Sequence, residues 1–296
     1  MEKEAIQKYI EAGKIAKKAL DEGIKMIEED AFILDIVEKA EEIIKNAGAG
    51  IAFPANLSIN ETAAHDTASR NDERKLKQGD IVKLDVGAHI DGYIADTAKT
   101  KEVSTDKYIL LIKASEEALS DAIKIIKPGV TIGEIGKIIE ARIKKYGFQP
   151  ITNLSGHLLE QYELHAGITI PNYSNTSNQK LEEGYAVAIE PFACTGAGKV
   201  VEGKSSLIYR LIKTTGARMA NERELIKFAE KEFKSLPFSK RAAEKHFKKD
   251  MTLIFNNLAK NGVLQNYPIL RESARGFVSQ AEHTVLVLDK AVVTTA

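Results

Sequence analysis

The chain of 296 residues contains an internal duplication. Residues 8–48 align with residues 107–147 without a gap, and fifteen of the 41 aligned positions are identical. About three identities are expected from average residue usage, so chance does not explain the match. Because a repeated apolar pattern specifies the same local structure twice, we expect two similar lobes.

Each copy of the repeat is predicted to form two helices, because its apolar residues recur at helical spacing and a glycine lies near its end. In the first copy the helices are predicted over about residues 5–28 and 32–46. In the second copy they are predicted over about residues 104–126 and 131–145. An Asn-Leu-Ser triplet follows in both halves. Each half is therefore predicted to run in the order helix, helix, strand or loop, hairpin.

A predicted β-hairpin in the first half carries two aspartates. Residues 81–86 and 93–97 are rich in strand-forming residues, and the Asp-Gly pair between them is a strong hairpin signal. With residues 89–92 as the loop, Asp85 and Asp96 are predicted to stand directly opposite each other, and a shift of two positions keeps both on one face. Opposed like charges destabilise a sheet, so we expect a multivalent cation between the two aspartates. The alternatives are that one aspartate faces solvent or that the two share a proton.

The second half is predicted to supply matching carboxylates. Residues 76–85 resemble residues 181–190, which places Asp85 over Glu190. By the same logic Glu282, in the β-rich segment SQAEHTVLVLD, is the candidate partner of Glu190. The four carboxylates are then predicted to converge about a pseudo-twofold axis.

One histidine completes a candidate metal site. His157 lies between the second helical pair and the second carboxylate-bearing strand. The candidate ligands are therefore Asp85, Asp96, His157, Glu190 and Glu282. This set is too anionic for one divalent ion and suits two, such as Mn²⁺, Fe²⁺, Co²⁺ or Zn²⁺. Two ions about 3.5–4 Å apart can activate a bridging water and polarise a carbonyl, which predicts metal-assisted hydrolysis.

Composition narrows the classes of partner. Lys+Arg and Asp+Glu both total 42, so the overall charge favours neither nucleic acid nor an anionic membrane. The single cysteine, Cys194, excludes an intrachain disulfide and suits a reducing compartment. No apolar run approaches the roughly 18 residues that span a bilayer. We expect a cytoplasmic protein, and we expect it to be a monomer.

Residues 206–270 have no counterpart in the first half. Helices are predicted there over residues 221–233, 239–247 and 251–261. The basic residues of this insert alternate with glutamates, which argues against a DNA-binding module. The sequence thus predicts an α/β (α+β) fold with two parts. The first is a catalytic domain of residues 1–205 and 271–296, and the second is a helical insert of residues 206–270. Within the catalytic domain, one half-repeat covers residues 5–100 and the other covers residues 104–205 plus 271–296.

Five separated motifs occur together in one order. They are FPANLSINETAAH, LDVGAHIDGYIADTA, LSGH with LHAG shortly after it, AIEPF and QAEHTVLV. In these motifs the chain resembles the methionine aminopeptidases, and its insert resembles the type II class with its archaeal members. The resemblance implies a pita-bread fold with a dinuclear centre. It also implies removal of the initiator methionine from nascent polypeptides when the next residue is small, and it leaves open a contact with the ribosome.

The resemblance assigns roles to the ligands. Asp85 would chelate the first metal, and Asp96 would bridge the two. His157 and Glu190 would hold the second metal, and Glu282 would bridge again. Glu190 also matches the residue that shuttles protons.

The resemblance also assigns residues that contact the substrate. His65 and His165 match the family's two catalytic histidines, which contact the substrate's amine, carbonyl or amide. The apolar methionine pocket would be lined by Phe53, Leu164 and Tyr267.

Several residues fall outside this pattern. Asp66 stands where an aromatic residue is common in the family, and residues 207–210 lack a histidine that eukaryotic members carry. Both departures bear on the shape of the pocket mouth. Three histidines are expected to be non-catalytic: His89, His246 and His283. Of these, His89 lies in the predicted hairpin loop.

Three other functions compete with this interpretation. A Xaa-Pro aminopeptidase or prolidase would use similar ligands. Residues 198–205 fit the phosphate-loop pattern of a P-loop NTPase, although a helix would have to follow Lys204-Ser205, where the sequence is strand-forming. A non-catalytic binding protein of the same fold would have no need of the acidic cluster.

Overall fold

The first half folds as two helices packed on an antiparallel sheet. The computed structural model describes residues 1–296. The elements in chain order are α1 (Lys3–Lys25), α2 (Ile33–Asn46), β1 (Gly50–Ile59), β2 (Thr62–Ala64), β3 (Ile81–Ile90) and β4 (Tyr93–Glu102). The sheet has the order β1-β3-β4. Apolar residues of both helices and the sheet form one buried cluster that includes Ala16, Ile36, Leu57, Leu84 and Val86.

The second half repeats this plan. Its elements before the insert are α3 (Ile109–Ile125), α4 (Ile132–Lys145), β5 (Gln149–Pro150), β6 (Ser155–Leu159), β7 (Thr169–Pro171), β8 (Ala186–Ile189) and β9 (Phe192–Cys194). Thr131 starts α4 with a capping box, in which its side chain and that of Glu134 bind each other's backbone N–H. After α2 and α4, the aligned residues Gly48 and Gly147 have φ values of 78° and 83°. Both helices therefore end at a left-handed glycine, and the four predicted helices are confirmed.

The insert and the residues that flank it share a sheet with β2 of the first half. This region contains β10 (Val200–Leu211), α5 (Ala220–Glu232), β11 (Phe238–Ser239), α6 (Lys240–Phe247), α7 (Thr252–Lys260) and β12 (Leu264–Glu272), and the sheet has the order β11-β10-β12-β2. Its helices pack on β10 around a separate buried cluster that includes Tyr209, Leu225, Phe238 and Phe255. Since Lys204 and Ser205 lie inside strand β10, the phosphate-loop alternative lacks the helix it needs.

The chain returns from the insert to complete the second half. The last strands are β13 (Val278–Gln280), β14 (His283–Leu286) and β15 (Val292–Val293). They complete two sheets, β13-β9-β5 and β15-β14-β8-β6-β7. None of the helices combines the length and the apolar composition needed to cross a bilayer.

The predicted register of the first hairpin is wrong by two positions. Asp85 pairs with Ala98, and Gly87 pairs with Asp96. The turn contains only Asp91 and Gly92, whose φ values of 50° and 88° fit the two-residue type I′ class. His89 is therefore in β3 rather than in the loop. The two aspartates are diagonal neighbours on one face, which a shift of two positions preserves.

Candidate active site

The sequence-predicted site residues line one cavity of about 220 Å³. Those found on its wall are Phe53, His65, Asp85, Asp96, His157, Leu164, His165, Glu190, Tyr267 and Glu282. They come from both halves and from the strands that flank the insert. The fold therefore brings together side chains that lie more than 200 positions apart in the sequence.

The carboxylates meet where β4 of the first half lies beside β14 of the second. The Glu282 N–H donates to the Ala98 carbonyl at 3.0 Å. Because Ala98 also pairs with Asp85, these three residues form a row that runs from β3 through β4 to the bridge residue Glu282. The Asp96 N–H donates in return to Thr284 Oγ1 at 2.7 Å. This strand pairing fixes the spacing of carboxylates from the two halves.

His157 faces the carboxylates through Nε2. Strand β6 pairs with β8, so that His157 lies opposite Ala188 and near Glu190. Its Nε2 is 3.7 Å from Asp96 Oδ2 and 3.6 Å from Glu190 Oε1. These separations are too long for hydrogen bonds. One ligand atom each of Asp96, His157 and Glu282 lie within 4.8 Å of one another, which is close enough to share an ion.

The buried carboxylates lack the partners that burial normally requires. Asp85 Oδ1, Asp96 Oδ1 and Glu282 Oε1 accept no hydrogen bond. Burial raises the pKa of Asp85 to about 7, and burial followed by mutual repulsion raises the pKa of Asp96 and Glu282 well above their usual range. Burial and the charge of Asp85 do the same to the pKa of Glu190. Carboxylate oxygens with one imidazole suit a divalent cation, which would supply the missing charge.

The side chain of Gln280 lies among these carboxylates. Its Nε2 is 3.3 Å from Asp85 Oδ2, 3.5 Å from Glu190 Oε2 and 3.3 Å from Glu282 Oε2. The amide therefore partly offsets the crowding of negative charge. Gln280 is the first residue of the motif QAEHTVLV, but sequence reasoning gave it no role.

Two asparagines on the cavity wall were also missed. Asn56 and Asn153 both line the cavity. They begin the Asn-Leu-Ser triplets that occur in both halves, so the duplication held the signal that could have identified them. Asn153 forms two hydrogen bonds of 2.8 Å with the backbone of Val200, which anchors β10 to this wall.

His65 is held in one orientation by the return strand of the insert. Its Nδ1 lies 3.1 Å from the Pro268 carbonyl, which can only accept, so Nδ1 carries the proton and Nε2 is left as an acceptor. The Tyr267 ring contacts the imidazole edge to face at a centroid distance of 5.4 Å. Burial lowers the pKa of His65, which keeps the ring neutral at pH 7.

His165 lies at the open end of the cavity. It is exposed, whereas His157 behind it is buried. The two rings contact edge to face with centroids 4.5 Å apart. His165 can therefore contact a molecule that enters from solvent, whereas His157 is shielded from solvent.

Apolar side chains cover part of the cavity wall. Phe53 and Leu164 are buried, and Tyr267 closes the side next to the histidines. The Phe53 ring packs directly over Gly87, where a Cβ atom would lie 2.2 Å from Phe53 Cε1. Glycine is therefore required opposite Asp96 for the ring to occupy this position.

The three remaining histidines lie outside the cavity. His89 Nδ1 accepts from the Gly92 N–H, and His246 stacks on Phe228. His283 contacts Thr295 Oγ1 at 2.8 Å. Asp66 is also absent from the cavity wall, since it pairs with Arg74 at 2.7 Å.

Comparisons with known proteins agree with this site. The model of metallopeptidase family M24 matches residues 7–287. The methionine aminopeptidase of Pyrococcus abyssi is 47% identical over 293 residues, which cover 98% of this chain and 99% of that protein. That of Archaeoglobus fulgidus is 48% identical over 296 residues, with complete coverage of both chains.

A solved structure shows the same architecture. The methionine aminopeptidase from Thermotoga maritima has a TM-score of 0.73 at 25% identity, with 100% of this chain and 98% of that chain covered. The pita-bread architecture, the order of the family motifs and the full-length similarity all indicate the same family. The chain therefore belongs to metallopeptidase family M24, among its methionine aminopeptidases of archaeal type.

Proposed function

We propose that this protein removes the N-terminal methionine from nascent polypeptides whose second residue is small, by metal-assisted hydrolysis. The observation that carries the proposal is the cavity on which five ligand-type side chains, two further histidines and an apolar wall meet. The family membership supplies the reaction class. Nascent chains as substrates favour the cytoplasm, and a monomer suffices because one chain supplies the whole cavity wall.

The five ligands of the proposed centre are Asp85, Asp96, His157, Glu190 and Glu282. They would hold two divalent ions, with Asp96 and Glu282 bridging, and Co²⁺, Mn²⁺, Fe²⁺ and Zn²⁺ all suit this donor set. When bound, such ions polarise a carbonyl and lower the pKa of water toward neutrality. The three unpartnered carboxylate oxygens support this assignment.

The residues around the ligands would position the substrate and move protons. Phe53, Leu164 and Tyr267 would surround the methionine side chain. His65 Nε2 would accept a hydrogen bond from a substrate N–H, and His165 would contact the reacting amide from the open end. Glu190 is partly exposed to the cavity, so it can take a proton from the attacking water and return it to the leaving amine.

The division of the chain is part of the proposal. Residues 1–205 and 271–296 would form the catalytic domain, and residues 206–270 would form the helical insert. Strands β10 and β12 cross both boundaries, and β12 pairs with β2. The insert is thereby joined to the segment that bears His65.

A peptide assay tests the proposal. Protein loaded with Mn²⁺ or Co²⁺ is given peptides that begin Met-Gly, Met-Leu or Ala-Pro. Cleavage of the Met-Gly peptide alone is expected, because the proposed activity requires a small second residue. Preferred cleavage of the Ala-Pro peptide would instead assign the site to a prolidase-like activity.

A further inference from the structure

Arg210 extends the cavity wall toward solvent. Residues two apart in a strand share a face, so Arg210 lies on the same face of β10 as the cavity residue Ile208. On the neighbouring strand β12, Gln265 pairs with Arg210, which leaves Tyr267 as its diagonal neighbour. Arg210 therefore lies next to the edge of the cavity wall.

An ion pair joins Arg210 to the opposite wall. Its Nη2 lies 2.7 Å from Glu163 Oε2, and the side chains of Arg210 and Glu163 are 26% and 33% exposed. Glu163 directly precedes Leu164 and His165, which both line the cavity. The pair therefore spans the rim between β10 and the segment that carries His165.

The guanidinium keeps donors free at this rim. Its hydrogen bond to Glu163 uses one of five N–H groups. Burial raises the pKa of the Tyr267 hydroxyl, and the Arg210 charge acts in the opposite direction. A peptide whose first side chain fills the apolar pocket has to leave past the exposed His165, and it advances about 3.3 Å per residue.

We propose that Arg210 is a specificity-determining residue that binds a carboxylate on the substrate residues following the scissile bond. The inference rests on the proposed function, because it concerns the outer part of the same substrate. Guanidinium groups bind carboxylates in a bidentate fashion, and a partly exposed site keeps much of that attraction. Peptides of the form Met-Ala-Glu are then better substrates than peptides of the form Met-Ala-Lys.

The test compares three amidated peptides, Met-Ala-Glu-Ser, Met-Ala-Gln-Ser and Met-Ala-Lys-Ser. Amidation removes the terminal carboxylate, which would otherwise bind in place of the side chain. For the wild type we expect kcat/KM to be about tenfold higher with Glu than with Lys at low salt, and the ratio to fall as salt is added.

Matched variants isolate the guanidinium. Arg210→Met keeps the length of the side chain and is expected to bring the ratio close to one, whereas Arg210→Lys keeps part of the preference. Glu163→Gln frees the guanidinium and is expected to increase the ratio.

Two results would overturn the inference. One is a wild-type preference for the Lys peptide, and the other is an unchanged ratio in Arg210→Met and Glu163→Gln. If neither the wild type nor any variant cleaves the neutral Gln peptide, the result contradicts the proposed function rather than the role of Arg210. The metal content and the melting temperature of each variant show whether it is folded. If Arg210→Met does not fold, the ratio measured for Glu163→Gln tests the inference.

Discussion

His65 has an uncommon backbone conformation for a residue with a side chain. Its φ of 66° lies in the left-handed region, which is sparsely populated outside glycine. Such residues concentrate at functional sites, where the surrounding structure holds them in place. Here the Pro268 carbonyl and the Tyr267 ring fix the imidazole, so that its unprotonated nitrogen is available to a substrate.

Replacing either cavity histidine is expected to separate turnover from metal binding. His65→Ala and His165→Ala should keep their metal, because neither ring lies among the carboxylates. Turnover should fall by about 10²–10⁴-fold, the usual contribution of a positioned proton-transfer or hydrogen-bonding group. Elemental analysis and kcat on a Met-Gly peptide measure the two effects.

His246→Ala is the matched control for these variants. Its ring stacks on Phe228 away from the cavity, so turnover should not change. Loss of metal from His65→Ala or His165→Ala would make that histidine a ligand and refute its assignment.

The buried carboxylates predict a pH dependence of the metal-free protein. Burial raises the pKa of Asp85 to about 7, against about 3.9 in an unfolded chain. The folded state then binds a proton that the unfolded state releases, so this group's stabilisation is complete below the unfolded pKa. It is lost as the pH rises from about 4 through about 7.

Asp85→Asn removes this titration and serves as the control. We expect the melting temperature of the metal-free wild type to fall relative to that of the variant over this pH range. Thermal scans of both proteins at a series of pH values measure the gap. Parallel curves would show that Asp85 titrates normally.

At the scale of elements, the first hairpin shows what the sequence can specify and what it cannot. The alternation of residues places Asp85 and Asp96 on one face with a turn of either two or four residues, and that inference holds. The turn itself is two residues shorter than predicted, because His89 and Ile90 continue β3. Strand propensity does not mark the residue at which a strand ends. The prediction that the two aspartates stand directly opposite each other was therefore wrong.

The sequence predicts that carboxylates of the two halves converge, but it does not indicate which distant strands pair. The duplication predicted both helical pairs and the shared carboxylate strands. Nothing local indicated that β14 pairs beside β4, or that the Gln280 amide lies among three carboxylates. Such contacts arise only when both halves are folded and packed.

A buried arginine links residues 206–270 to the first half. Arg241 of α6 is 1% exposed and donates to Glu41 of α2, to Thr67 Oγ1 and to the Ala68 carbonyl. Arg241→Met leaves the largely buried Glu41 carboxylate without its cation and with only the Ala55 N–H as a donor, so the free energy of unfolding should fall by about 3–5 kcal/mol.

Lys245→Met is the surface counterpart on the same helix. Lys245 pairs with Glu38 at 2.6 Å, but its side chain is 50% exposed, so the loss should be at most about 1 kcal/mol. Chemical denaturation of both variants gives the two values. Equal losses would show that the Arg241 network adds no more than a surface ion pair.

At the scale of the whole molecule, the fold is two related halves that meet at an anionic cavity. Each half contributes two of the four carboxylates, and the second half adds the imidazole. This arrangement concentrates negative charge at the junction between the halves. Metal binding and the stability of the junction are therefore expected to be linked.

Removing metal should lower the melting temperature. At a hundredfold excess over its Kd, an ion that binds only the folded state adds about 2.7 kcal/mol, which corresponds to a shift of about 4 °C for a chain of this size. Differential scanning calorimetry with and without a chelator measures the shift. The double variant Asp96→Asn, Glu282→Gln should melt at one temperature in both conditions, and a chelator effect on it would place the ion elsewhere.

The most direct test of the metal centre is an anomalous difference map from crystals of the protein grown with Mn²⁺. The account predicts two peaks in the cavity, about 3.5–4 Å apart, in contact with the side chains of Asp85, Asp96, His157, Glu190 and Glu282. Peaks outside the cavity, or peaks that Glu190 and Glu282 do not contact, would contradict it.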